Sequence, residues 1–255
     1  MTTPKVATLS QGGSRYYVHP VTGEKVPGVT SVLNALPKPF LTPWSTKLVA
    51  EAAVDNLDAV AALAAVDRQG AVDYLKGAPR RSTASSADLG TAAHGIFERM
   101  CLGQHIGTLT DEVMPFVKHF SNFFDTVQPE FIEVEQTVWN DTHKYGGSFD
   151  GLAKIDGVTC WLDLKTGKNI HADVALQLAA YAHAEVMLKD GDELPLPHAE
   201  RGLVLHCRAD MGWTLTEVPI DDEVFDHFLA LRKTFAWTQM ERQVIGKPLA
   251  VGGAS

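Results

Sequence analysis

Residues 146–181 read GGSFDGLAKIDGVTCWLDLKTGKNIHADVALQLAAY, a stretch that predicts a strand, a tight turn, a second strand and a helix. The first strand alternates between an apolar and a polar set: Phe149, Gly151, Ala153 and Ile155, against Ser148, Asp150 and Lys154. This period of two is typical of a strand whose two faces differ. Asp156 and Gly157 favour a two-residue hairpin, because both positions of such a turn favour positive φ.

The returning strand, 158–165, alternates in the same way, with Asp163 and Lys165 on one face. The hairpin is therefore expected to bring Asp150, Asp163 and Lys165 into one small volume. Two carboxylates at close range repel each other unless a metal ion, a shared proton or a basic side chain lies between them. Either a metal site or a half-buried structural ion pair made by Lys165 accounts for this pattern.

An alanine-rich helix is predicted over 172–188. Gln177 and Tyr181 lie four residues apart and therefore share one face of it, where Asp173 extends a polar ridge. A solvated stripe would also explain such a ridge, although solvated stripes normally carry Lys and Glu.

Three motifs in order, G-x-x-D (Gly147 to Asp150), D-L-K (Asp163 to Lys165) and Q-x-x-x-Y (Gln177 to Tyr181), resemble the PD-(D/E)xK nucleases. The similarity is greatest to the RecB-like exonuclease branch. It implies an α/β fold with a restriction-endonuclease-like core, in which helices flank a mixed central β-sheet. An N-terminal helical subdomain is expected to precede that core.

The resemblance also implies roles for the motif residues. Asp150 and Asp163 would hold one or two Mg²⁺ or Mn²⁺ ions, hard cations that take oxygen ligands, and the backbone carbonyl of Leu164 would complete the shell. Lys165 would orient or deprotonate the attacking water and offset charge in the transition state. The catalytic set is then completed by two residues that position the lysine or the phosphate: Gln177 and Tyr181.

Upstream, G-x-x-x-H-x-x-x-E (Gly90, His94, Glu98) resembles the first motif of the same branch, which makes His94 a metal ligand. Glu98 is a secondary candidate that either joins the site or supports the helix. Glu135, on a strand predicted over 130–139, is another secondary candidate. An exposed strand charge is the alternative interpretation of Glu135.

Residues 77–90, GAPRRSTASSADLG, predict a loop that leads into a helix near Ser85. Arg80 and Arg81 in this loop are either solvated charges or contacts for a DNA phosphate, with Ser82 adding a hydroxyl donor.

The remaining pattern predicts a hairpin over 14–30, a short helix to residue 36, and helices over 43–76 with a break near Asn56. Further helices are predicted over 111–127 and 221–240, and strands over 201–207 and 213–219. We therefore expect an N-terminal hairpin and helical subdomain over 1–82, a nuclease core with a C-terminal helix over 83–245, and a flexible tail over 246–255.

Composition narrows the class of protein. The 255 residues contain no apolar run of membrane-spanning length, and the N-terminus lacks the pattern of a signal peptide. Three scattered cysteines indicate a reducing cytoplasm and predict that no iron–sulfur cluster is bound. The RecB-like resemblance implies that the cell is a bacterium or a phage-infected host. The net charge of −9 argues against a broad basic surface that coats nucleic acid, but it is compatible with acidic metal ligands and a local basic channel.

The expected function is a metal-dependent exonuclease that hydrolyses linear DNA, single- or double-stranded, in phage or bacterial recombination, replication or repair. A single-strand annealing or single-strand-binding protein is a candidate partner. Two alternatives stay open: a structure- or sequence-specific endonuclease on the same core, and a non-catalytic module that binds DNA or recruits a partner.

Overall fold

The computed structural model describes residues 5–247 and 249, with the backbone alone for 241–243; the rest of the predicted tail lies outside the described residues. The strands are β1 Thr8–Gln11, β2 Ser14–Val18, β3 Lys25–Pro27, β4 Glu130–Asn140, β5 Tyr145–Ile155, β6 Val158–Lys165, β7 Val186–Lys189, β8 Asp192–Pro195, β9 Arg201–Arg208 and β10 Gly212–Val218. The helices are α1 Val29–Leu33, α2 Leu41–Asp55, α3 Leu57–Val66, α4 Arg68–Lys76, α5 Ala78–Cys101, α6 Met114–Val127, α7 Asp173–Ala182 and α8 Asp222–Val244.

Seven strands form the central sheet, in the order β10-β9-β6-β5-β4-β7-β8. β6 and β9 pair in parallel, and the other neighbours are antiparallel. Helices flank this mixed sheet, so the predicted α/β class is confirmed. The more specific restriction-endonuclease-like core stays a prediction.

Each face of the sheet has its own apolar core. On one face, α1, α7 and α8 contribute side chains such as Val32, Leu178 and Phe228. On the other face, α5 and α6 contribute a second cluster that includes Phe97 and Phe120. Burying an aromatic side chain of this size stabilises the fold by about 1.5–3 kcal/mol, so both helical layers are firmly attached to the sheet.

The N-terminal hairpin is confirmed as β2 and β3, to which β1 adds a third strand. Tyr17 and Val26 of this small sheet pack against Trp139 and Leu188 of the central sheet. The predicted helical break is also confirmed, since α2 ends at Asp55 and α3 begins at Leu57. The hairpin and α1 therefore belong to the central core, whereas α2 and α3 have no buried residues.

Two predictions about local structure are wrong. Residues 78–90 form the first half of α5 instead of a loop, so Ser85 lies inside a helix and the expected domain boundary at residue 82 falls within it. The helix predicted over 172–188 ends at Ala182, after which Val186 begins a strand that pairs with β4. None of the helices in the described part of the chain is long and apolar enough to cross a membrane.

Candidate functional site

The candidate site begins where the β5–β6 ladder ends. Asp156 and Gly157 have φ of 51° and 79°, as the predicted turn requires. The ladder then runs from this turn to the pair Gly151 and Leu162. Just beyond it, the backbone amide of Leu164 donates to Oδ2 of Asp150 at 2.7 Å. The Asp150 carboxylate thus replaces a strand–strand hydrogen bond, and its other oxygen, Oδ1, is left for a further ligand.

A second irregularity lies across from Asp150, on β4. The β4–β5 pairing passes over Glu135, whose φ of 54° is unusual for a residue with a side chain. Glu135 is 4% exposed, so its interpretation as an exposed strand charge is wrong. Ligand atoms of His94, Glu135 and Asp150 all lie within 4.8 Å of one another. These three residues form a group that could hold a metal ion.

His94 reaches this group from α5. Its Nδ1 lies 3.4 Å from Oδ1 of Asp150. This nitrogen is buried and makes no hydrogen bond in the described structure. A Cβ added to Gly90, one turn earlier, would lie 3.2 Å from the Thr166 hydroxyl, so a glycine lets α5 approach the end of β6 closely.

The D-L-K and Q-x-x-x-Y motifs meet in one hydrogen-bonded network. Lys165 Nζ lies 2.7 Å from Oδ2 of Asp163 and donates to Oε1 of Gln177 at 3.1 Å. The Gln177 amide donates to Oδ1 of Asp163 and to the Tyr181 hydroxyl, both at 3.0 Å. Tyr181 donates in turn to the carbonyl of Ser148 at 2.8 Å. The polar ridge on α7 is therefore bonded to the acidic strands and is not a solvated stripe.

The first motif begins with Gly147, at a position that has no room for a side chain. A Cβ at this position would lie 2.5 Å from Cε1 of Tyr181 and 3.0 Å from Cγ2 of Val29. The ring of Tyr181 therefore occupies the space that a side chain on residue 147 would need.

The predicted two-face alternation of β5 fails at Asp150. Phe149 packs on Trp161 with ring centroids 4.9 Å apart, and both belong to the cluster under α7. Ile155 lies in the opposite cluster, under α5 and α6. Phe149 and Ile155 were expected on one face, and the irregular pairing around Asp150 places them on opposite faces.

The charges of the site are strongly interdependent. Burial alone would raise the pKa of Asp150, but His94, Lys165 and the Leu164 amide outweigh burial and lower it. Burial and the charge of Asp150 raise the pKa of Asp163, although Lys165 opposes the change. Burial favours the neutral form of Lys165, yet Asp163 and Asp150 prevail and raise its pKa. The lysine is therefore held as a cation.

The pKa of Glu135 is also shifted. Burial, followed by the charges of Asp150 and Glu98, raises the pKa of Glu135 to about 9. A carboxyl that is held protonated in this way is released to ionise when a cation binds beside it.

The donor set fits a divalent metal ion. Two buried atoms, His94 Nδ1 and Asp163 Oδ2, make no hydrogen bond in the described structure. Asp163 Oδ2 lies 2.7 Å from Lys165 Nζ in an ion pair, and Asp163 is not one of the three clustered residues. Carboxylate oxygens suit Mg²⁺ and Mn²⁺, and an imidazole nitrogen makes Mn²⁺ competitive.

One cavity of about 410 Å³, named here the carboxylate cleft, is lined by His94, Asp150, Asp163, Lys165, Gln177 and Tyr181 but not by Glu135. Besides the motif residues it is lined by Arg15, Tyr17, Thr30, Ser86, Ala87, Thr91, Ser148, Thr166 and Gly167. Leu164, whose carbonyl is the predicted ligand, also lines it.

The other predicted residues lie outside the cleft. Glu98 is half-buried and close enough for its charge to raise the pKa of Glu135, but it is not one of the three clustered ligands. Arg80 and Arg81 are exposed on α5, and Arg81 donates to the Tyr74 carbonyl at 2.9 Å and stacks over its ring. Ser82 is half-buried, one helical turn before Ser86 of the cleft.

Sequence reasoning did not identify Tyr17 and Arg15, which both line the cleft. Tyr17 accepts a hydrogen bond from the backbone amide of Ser148 at 3.0 Å and donates to its hydroxyl at 3.2 Å. Arg15, two residues earlier on β2, also lines the cleft. The segment that contains Tyr17 and Arg15 reads as an ordinary hairpin, because no local pattern reports a contact 131 residues away.

No family model and no curated protein matches the chain. Among solved structures, one similar chain is that of the "Crystal structure of SSO0001", with 16% sequence identity and a TM-score of 0.30. The match covers 48% of this chain and 58% of that chain, so this chain spans little more than half the length of SSO0001. A TM-score this low carries no argument about fold or function.

Proposed function

We propose that this protein is a metal-dependent deoxyribonuclease that hydrolyses phosphodiester bonds of linear DNA. The observation that carries the proposal is that one cleft is lined by Asp150, Asp163, Lys165 and His94. Glu135 is not part of the cleft lining, but its carboxyl lies within 4.8 Å of the ligand atoms of His94 and Asp150. A buried pair of carboxylates with a neighbouring cation and unbonded ligand atoms is what phosphodiester hydrolysis requires. A purely structural ion pair would need neither the half-buried His94 nor the third carboxyl group, that of Glu135.

In this proposal, Asp150, Asp163 and His94 hold the metal, and Glu135 is a further ligand. When bound, the ion would neutralise charge on the phosphate and lower the pKa of a water molecule. Lys165 presents a fixed positive charge toward the phosphate, and its raised pKa favours orientation and charge compensation over proton abstraction. Gln177 positions the side chains of Lys165 and Asp163 by hydrogen bonds, and Tyr181 in turn positions Gln177.

Attack from DNA ends is the part of the proposal that the RecB-like resemblance supports. An endonuclease on the same core is the second candidate, and closed circular DNA discriminates between them. A role in recombination, replication or repair, with a single-strand annealing or single-strand-binding partner, follows from the same resemblance.

The test is digestion of linear DNA labelled at the 5′ or the 3′ end, single- and double-stranded, with Mg²⁺, Mn²⁺ or EDTA. Asp163→Asn removes one charge at the centre of the site. Asp226→Asn removes the same charge from an exposed position on α8 and serves as the matched control. We expect metal-dependent loss of linear DNA in the wild type and in Asp226→Asn, and at least a hundredfold slower digestion by Asp163→Asn.

A closed circular substrate in the same experiment should stay intact. Cleavage of the circle would contradict the proposed exonuclease and support the endonuclease. Binding of DNA without cleavage in either metal would contradict the proposed activity.

A further inference from the structure

A second cavity opens beside the carboxylate cleft, on the side of the N-terminal sheet. Its volume is about 560 Å³, and it shares Arg15 and Thr30 with the cleft. Because the same two residues line both cavities, the two lie side by side. The second cavity, named here the hydroxyl groove, is otherwise lined by Thr8, Leu9, Ser10, Gly13, Ser31 and Asn34.

The charge of the hydroxyl groove differs from that of the protein as a whole. The chain carries a net charge of −9. Yet no acidic residue lines the groove among the residues that the structure describes, and its charged lining residue is Arg15. In the cleft, the acidic lining residues are the proposed metal ligands Asp150 and Asp163. A DNA strand that extends from the metal site into this groove would therefore meet no carboxylate other than the proposed metal ligands.

Arg15 lies at the junction, and its backbone is firmly held. The Ser31 hydroxyl accepts from the Arg15 amide at 2.8 Å and donates to the Arg15 carbonyl at 3.1 Å. Its guanidinium, however, makes no hydrogen bond or ion pair with any described group, a set that comprises residues 5–247 and 249 without the side chains of 241–243. By contrast, Arg201 and Arg208 each pair with a carboxylate, at 2.8 Å and 2.6 Å. A half-buried guanidinium without a protein partner, on a fixed backbone, is suited to a ligand phosphate.

We propose that the hydroxyl groove binds the DNA strand next to the scissile phosphate, and that Arg15 binds one backbone phosphate where the groove meets the cleft. Thr30 and Ser10 offer hydroxyl groups to phosphate or sugar oxygens and read no base, so the contact is independent of sequence. The inference rests on the proposed function. It adds a path for the strand and a binding residue outside the nuclease motifs.

The test is binding of a fluorescein-labelled 20-nucleotide oligothymidylate in Ca²⁺, without Mg²⁺ or Mn²⁺, over a range of NaCl concentrations. Arg15→Gln is expected to weaken binding about tenfold, the loss of one charge-assisted contact. It should also reduce the salt slope, d log K/d log[salt], by about 0.7, the change for one phosphate contact on a single strand. The matched control is Lys25→Gln, which removes one charge from an exposed position of the same small sheet outside both cavities, and should change the affinity less than twofold.

Two further variants separate charge from shape. Arg15→Lys keeps the charge and should restore the salt slope, with part of the affinity. Ser10→Trp leaves Arg15 in place and fills the groove at an exposed position of β1, so it should weaken oligothymidylate binding by a similar factor. Circular dichroism of each variant verifies the fold.

Steady-state digestion in Mn²⁺ provides the second measurement, in which Arg15→Gln should raise KM more than it lowers kcat. If Arg15→Gln and Ser10→Trp both keep the wild-type affinity and salt slope, the groove does not bind the DNA strand. That result would leave the proposed nuclease activity unaffected. A wild-type protein that neither binds nor digests DNA would instead overturn the proposed function.

Discussion

The Gln177 side chain lies against Asp163, with its amide nitrogen 3.0 Å from Oδ1, while its amide oxygen accepts from Lys165. One amide thereby satisfies an anion and a cation together, which fixes its orientation. Gln177→Leu keeps the approximate volume but leaves both partners without this contact. We expect kcat for DNA digestion to fall about 10- to 100-fold, as for other groups that orient metal ligands.

The matched control for Gln177 lies on the surface of α4. Gln69 donates to Asp73 at 3.1 Å at an exposed site, so Gln69→Leu removes a similar contact far from the cleft and should leave kcat unchanged. Equal activity of Gln177→Leu and the wild type would show that the amide only fills space.

Gly147→Ala should destabilise the protein by about 1–3 kcal/mol, the usual cost of overpacking a core. The added methyl group would approach Tyr181 Cε1 at 2.5 Å and cannot be accommodated without moving the ring. Gly95→Ala on α5 is the opposite case, since nothing lies within 4 Å of its Cβ and alanine favours a helix. Urea unfolding should give a lower midpoint for Gly147→Ala and an equal or higher one for Gly95→Ala; the reverse order would contradict the packing described here.

Glu135 makes the metal-free protein sensitive to pH. Its pKa is about 9 in the folded protein against an ordinary value of 4.5, so between these pH values the folded chain retains a proton that the unfolded chain has lost. Stability therefore falls as pH rises through this window, by at most about 1.4 kcal/mol per pH unit. Glu135→Gln cannot ionise, and in EDTA its Tm should exceed that of the wild type at pH 8, with a smaller difference at pH 5.

Adding Mn²⁺ should raise the Tm of the wild type above that of Glu135→Gln at pH 8, because the ion binds a carboxylate more tightly than an amide. Glu112→Gln, at an exposed position, is the control and should follow the wild type under both conditions. A wild-type Tm that is higher than that of Glu135→Gln in EDTA at pH 8 would contradict the assigned pKa.

Tyr17→Phe tests whether the N-terminal sheet supports the site. The variant leaves the buried amide of Ser148 without its acceptor, which should cost about 1–3 kcal/mol of unfolding free energy. Tyr16→Phe removes a hydroxyl that makes no hydrogen bond among the described residues, and should cost less than 0.5 kcal/mol, as is usual away from such features. Equal urea midpoints for the two variants would contradict a stabilising hydrogen bond between Tyr17 and Ser148.

The β5–β6 hairpin was predictable because its signals are local. Asp156 and Gly157 both adopt positive φ, and the spacing of Asp150, Asp163 and Lys165 around that turn follows from strand geometry. The polar ridge of Gln177 and Tyr181 follows in the same way from helix geometry.

The first half of α5 was not predictable from the residues of 77–90, which favour loops. In the structure, three hydroxyls in this helix donate to carbonyls four residues earlier: Thr83 to Pro79, Ser86 to Ser82 and Thr91 to Ala87. Each of these hydroxyls thus finds its hydrogen-bond acceptor within the helix and does not draw the backbone into a turn. Pro79 lies in the first turn, where its missing N–H costs nothing.

The burial of Glu135 depends on sheet order, which a single strand does not encode. β4 lies inside the sheet, between β5 and β7, and its residues Glu135, Gln136 and Thr137 are all buried. Alternation of polar and apolar residues therefore misled the interpretation of this strand. The strained φ of Glu135 likewise reflects its position opposite Asp150.

The hydrogen bonds between Tyr17 and Ser148 span 131 positions of the chain. During synthesis, the small N-terminal sheet leaves the ribosome long before β5 exists, and α7 follows later still. The residues of the proposed metal site therefore come together only after α7 has been made, whereas the residues that line the hydroxyl groove lie within 8–34 and are made first. The proposed strand path thus precedes the proposed catalytic site along the growing chain.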